Sequence, residues 1–192
     1  MITVGAAVLC GLVLLVSALS KVRSRKDYAD FVASVPAFGI PASWSGWYAA
    51  ATLAAELVIT GLLLAGVVLA GAGAGRWLAG TGLVLAVGLF GVLTVAVWRA
   101  VARRSGAVCR CFGPARTPLA HRHVVRNALL LLVAVLGLSA MDVADLATAA
   151  LAASVGAVGA VLVVRFDDLA ELFVGPPARG PASREPSRVA DH

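Results

Sequence analysis

Cys109 and Cys111 stand one residue apart in the stretch "AVCRCFG" at residues 107–113, with Arg110 between them. In an extended strand, residues two apart lie about 6.6 Å apart, near the upper limit for a disulfide. Closing a bridge here requires a bent backbone, and Phe112, Gly113 and Pro114 supply the bend. Such a small ring is strained, therefore oxidising and easily reduced. Arg110, with Arg103, Arg104 and Arg116 nearby, favours the thiolate, which is the nucleophilic form. The spacing thus suits a redox-active pair better than a structural cross-link.

A metal site is the alternative. His121 and His123 follow on the same connection, giving Cys-x-Cys and then His-x-His. Zinc sites space their ligands more widely, whereas copper(I) tolerates a tight thiolate pair. The histidines read better as interfacial residues at a helix start, so no metal is favoured. The third cysteine, Cys10, lies within an apolar run and reads as a buried, inert small hydrophobe.

Glu56, in "AAELVITGLLLAG", is the one acid well inside an apolar stretch. It sits about 12 Å along its helix from the cysteine-bearing end. A carboxylate inside a membrane is costly and is usually paired or functional; Lys21 and Arg126 are the candidate partners. Two readings stand side by side, a proton or substrate contact and a structural pair between helices. Arg126 and Asn127 open the run "VRNALLLL". The arginine can snorkel to the interface or stabilise a thiolate, the asparagine can bond across helices, and either can orient the cysteine loop.

These residues need elements to hold them, and composition says which. Of the 192 residues, 60% are hydrophobic and 14% charged, against roughly 25% charged in a soluble domain. The apolar runs show no polar face, which suits lipid. Five runs approach the roughly 20 residues a span needs, at about 2–20, 48–70, 77–97, 124–140 and 146–164. The first resembles a signal peptide but lacks a basic leader, and reads as a retained span. Small residues spaced by four, Gly71/Gly75 and Ala152/Gly156/Ala160, would permit close helix approach. Between the first two runs, Pro36 and Pro41 with Phe31, Phe38, Trp44 and Trp47 predict a short helix and turn along the membrane surface. Residues 1–173 form one transmembrane domain, and the Pro/Gly/Ser-rich tail at 174–192 reads as a disordered cytoplasmic segment. The expected fold class is all-α: a polytopic helical bundle with a four-helix core plus a fifth span.

The charges orient it. Fifteen of the sixteen Lys and Arg residues fall on one side of a five-span arrangement, and Arg76 alone falls on the other. That pattern is positive-inside and predicts an outside N-terminus, with the C-terminus and the Cys109/Cys111 loop in the cytoplasm. The basic residues form no stripe and carry no interleaved aromatics, so nucleic acid is not an expected partner. A cytoplasmic cysteine pair rests reduced, and a disulfide there is transient and catalytic.

"SALSKVRSRKDYADFVASVPAFGIP", "AAELVITGLLLAG", "CRCFG" and "VRNALLLL" occur in that order. Together they resemble the methylamine utilisation MauE family, within the DoxX-like membrane proteins, over about residues 5–165. The resemblance implies a helical bundle in the bacterial inner membrane that helps mature a disulfide-rich periplasmic dehydrogenase subunit. It also implies a thioredoxin-like protein or the maturing subunit as partner. By analogy with DsbB and vitamin K epoxide reductase, Cys109 and Cys111 would exchange disulfides and a quinone would take the electrons. Those relays use a second cysteine pair, which this chain lacks. The leading expectation is a thiol–disulfide oxidoreductase component. Its rivals are a metal or small-molecule binding module using Cys109, Cys111, His121 and His123, and a non-redox assembly scaffold.

Overall fold

The computed structural model describes residues 1–103, 121–140 and 145–166. Six helices occur among them: α1 (Ile2–Val22), α2 (Arg25–Ser34), α3 (Ser45–Val68), α4 (Gly73–Ala102), α5 (His121–Ala140) and α6 (Leu146–Val164). No strand occurs among the described residues. All but α2 belong to helices long and apolar enough to cross a membrane. Arg104, Cys109, Arg110, Cys111 and Arg116 lie outside the described residues, as do the division at residue 173 and the tail beyond it.

The helices outrun the apolar stretches that mark them. The second begins at Ser45 and the third runs from Gly73 to Ala102, beyond the expected 48 and 77–97. Hydropathy marks only the lipid-facing middle, whereas helical hydrogen bonding continues through the interface where Trp98, Arg99 and Arg103 sit.

α1, α3, α4 and α5 form a closed ring in which each packs on the next, and α6 packs on the outside of α1. α1 is therefore the central helix. Ala7, Cys10, Val13 and Leu14 from it meet Ile59 and Leu63 of α3, Leu83, Ala86 and Phe90 of α4, and Leu130 and Ala134 of α5. Outward faces carry exposed Val84, Val92, Leu132, Leu136, Val155 and Val158, a surface suited to acyl chains. Since lipid is as apolar as leucine, burial alone does not hold such helices together; close packing and interhelical polar contacts do. Gly156 shows the first of these. A Cβ there would strike the Gly5 carbonyl oxygen of α1, so the α1–α6 crossing depends on that glycine. Ala152 and Ala160 are buried on the same face. Gly75 is used differently, against the Leu69 carbonyl in the turn between α3 and α4.

Between α1 and α3 the chain runs along one end of the bundle. Ser24 caps α2, its Oγ accepting from the Asp27 N–H at 3.1 Å and donating to the Asp27 carboxylate at 2.7 Å. No residue of α2 is buried, as expected of a helix lying at a surface. A 3-10 turn over Val35–Phe38 ends at Gly39, whose φ of 89° is the left-handed conformation that glycine alone adopts freely.

Candidate functional site

The polar centre of the bundle is built by the last turns of α1 and the middle of α3. Ser17 and Lys21 are four apart on α1 and so share a face. Helical side chains lean toward their own N-terminus, which points Lys21 away from the nearby helix end and into the bundle. α3 runs antiparallel to α1, so Glu56 leans the opposite way and the two meet. Lys21 Nζ donates to Glu56 Oε1 at 2.6 Å and Oε2 at 2.8 Å, and to Ser17 Oγ at 2.7 Å. Ser17 Oγ in turn donates to Glu56 Oε1 at 3.1 Å. Lys21 and Glu56 are 3% and 2% exposed. The ammonium also lies 5.1 Å from the centre of the Phe31 ring on α2, within cation–π range.

Of the two partners expected for Glu56, the structure shows Lys21. A lysine one residue from a helix end ordinarily turns out toward water; here three acceptors inside the bundle hold it the other way. Ser17 and Phe31 complete the site and were not legible as site residues. The spacing Ser17-x-x-x-Lys21 on the α1 face is the signal that points to the serine.

His123, Arg126 and Asn127 are buried in the first turns of α5. His121, at the helix start, is exposed. Residues two apart on a helix diverge by about 200°, so His121 and His123 leave α5 on different sides, the first exposed and the second buried. Arg103 closes α4 and His121 opens α5, so the segment carrying Cys109 and Cys111 joins the bundle at these two points. Arg103 also approaches Gly39, its Nη1 lying 3.3 Å from where a Cβ would stand. The joining points, α2 and the Lys21–Glu56 pair therefore share one end of the molecule.

A family model described as methylamine utilisation protein MauE matches residues 1–140. The chain belongs to the MauE family. It is a multi-pass membrane protein of that family, and the match covers Ser17, Lys21, Glu56 and Asn127 as well as the cysteine pair. α6, packed outside the ring, lies beyond the matched residues. No curated protein and no solved structure matches the chain.

Proposed function

We propose that this MauE-family protein is a thiol–disulfide redox component that aids maturation of a partner protein through Cys109 and Cys111. One observation carries the reading: a Cys-Arg-Cys pair on the connection between α4 and α5, at the end of the bundle where its buried ion pair fixes α1 to α3.

The exchange balances in two steps. One thiolate attacks a partner disulfide, forming a mixed disulfide and releasing a partner thiolate. The second cysteine then attacks the mixed disulfide, releasing the reduced partner and leaving Cys109–Cys111 oxidised. Run in reverse, the same steps oxidise a partner dithiol. A thioredoxin-like protein resets the pair in either direction, and a quinone in the bilayer is the alternative acceptor for the electrons. Arg110 beside the cysteines stabilises the attacking thiolate, and Arg126 on α5 orients the segment. In this reading Glu56 is a structural anchor for Lys21. The segment and the C-terminus face the cytoplasm of a bacterial inner membrane, following the arginine distribution.

Mass-tagging of free thiols in cells tests the redox step. A working pair gives a mixture of reduced and oxidised Cys109/Cys111 that shifts under oxidant. A pair that stays reduced throughout contradicts the reading and leaves the assembly-scaffold role.

A further inference from the structure

The two ends of the ring are held differently. At the end away from α2, helix backbones touch. A Cβ on Gly66 of α3 would stand 2.6 Å from the Ala79 nitrogen of α4, and one on Gly137 of α5 would strike Ala6 of α1. Thr3 Oγ1 of α1 also donates to the Gly137 carbonyl at 3.1 Å. Close approach of this kind fixes helices against one another in a bilayer. At the end near α2 the ring instead surrounds a small apolar cavity of about 40 Å³, beside the Lys21–Glu56 pair. Leu14, Phe90 and Leu130 on its wall are buried, whereas Phe31 of α2, Thr52 of α3 and Leu93 of α4 are half-buried. The cavity therefore opens between α3 and α4, beneath α2.

Residues 25–38 cover that opening. Phe31 lies on the cavity, and the 3-10 turn Val35–Phe38 packs on both α3 and α4. Val35, 6% exposed, is the one buried residue among them. A segment anchored by so little buried apolar surface opens more readily than the ring beneath it. Hydrogen bonds within it, from Ser34 Oγ to the Phe31 carbonyl at 2.6 Å and from the Gly39 N–H to the Pro36 carbonyl at 2.9 Å, let it move as a unit. It is flanked by two points where the chain breaks out of helix. Ser24, with φ −144° and ψ 160°, separates α1 from α2, and Gly39, with φ 89°, ends the turn. Hinges are element-terminal positions of this kind.

We propose that residues 25–38 form a hinged lid over the cavity, turning about Ser24 and Gly39 and held shut by Val35 and Phe31. Its opening gives water at the interface access to the cavity and the ion pair. Opening breaks the 5.1 Å contact between Phe31 and the Lys21 ammonium. The bonds of Lys21 to Glu56 and Ser17 run between α1 and α3, so the pair stays compensated while the lid moves. The lid is independent of Cys109 and Cys111.

Two measurements on the full chain in lipid nanodiscs test this. In hydrogen exchange, Val35→Ala should quicken the amides of α2 and of the 3-10 turn together, several-fold. Amides near Leu63 and Leu83, at the clamped end, should keep their protection. In a Cys109→Ser/Cys111→Ser background, Thr52→Cys should react with a charged methanethiosulfonate faster than buried Cys10 does, and several-fold faster again with Val35→Ala. The reagent does not cross lipid, so it reaches residue 52 through the lid. Exchange that quickens equally throughout the ring, or not at all in residues 25–38, overturns the proposal. So does a Thr52→Cys thiol no more reactive than Cys10. Should Val35→Ala not fold, Phe31→Ala, which keeps the Val35 anchor, decides by the same two readouts.

Discussion

At the scale of the residue, the molecule turns on where one lysine points. Lys21 lies beside an interface rich in Arg23, Arg25 and Lys26, yet its ammonium goes inward to Glu56. Two charges so buried are stable only together. Glu56→Gln leaves the lysine charge uncompensated and should cost about 3–5 kcal/mol, read as a lower unfolding midpoint in detergent. Replacing both residues, by Lys21→Met with Glu56→Leu, should recover much of that loss, since apolar substitution of a whole buried pair is often neutral. A double variant no more stable than Glu56→Gln would show that the pair acts through more than mutual compensation. Ser17→Ala removes one bridging hydroxyl and should cost about 1 kcal/mol in the same measurement. The sequence made Glu56 conspicuous, because a carboxylate within an apolar run has few explanations. It left the choice between Lys21 and Arg126 open, since that depends on how α1 and α3 cross.

At the scale of the element, two glycines and one aspartate carry the consequences. Gly156→Leu would push α6 from α1, because its side chain meets the Gly5 carbonyl. Hydrogen exchange should then quicken in α6 while the ring of α1, α3, α4 and α5 keeps its protection; equal protection in both would contradict that contact. Gly39→Ala forces a side chain into the left-handed region, at about 1–2 kcal/mol. Asp145 caps α6 by accepting from the Thr148 N–H at 2.8 Å. The Thr148 backbone bond, followed by its side-chain bond, holds the carboxyl below its ordinary pKa. Its cap is therefore present above the unfolded pKa and is lost as pH falls through the lowered folded value. Exchange at the start of α6 should accelerate in acid, and Asp145→Asn should remove that dependence. The existence of five long apolar helices was legible from composition and run length. Their ends were not, because interfacial residues such as Trp98 and Arg99 continue a helix that hydropathy no longer marks. Small-residue spacing was also ambiguous: Ala152/Gly156/Ala160 marks a helix crossing, whereas Gly75 serves a turn.

At the scale of the whole molecule, a ring of four helices with a fifth on its flank gathers its buried ion pair and its surface helix at one end. The buried pair, α2, and the attachments of the cysteine-bearing segment at Arg103 and His121 all meet there. An impermeant thiol reagent applied to inside-out vesicles should label Cys109 and Cys111, and applied to intact cells should not; the opposite result would reverse the proposed orientation. The central claim is that this end exchanges disulfides with a partner. Cys111→Ser removes the resolving thiol, so a client attacked by Cys109 stays attached. The account predicts a reducible, higher-mass adduct of this variant in cells, lost when Cys109→Ser is added. No adduct, under oxidant and with free thiols blocked at lysis, would contradict it.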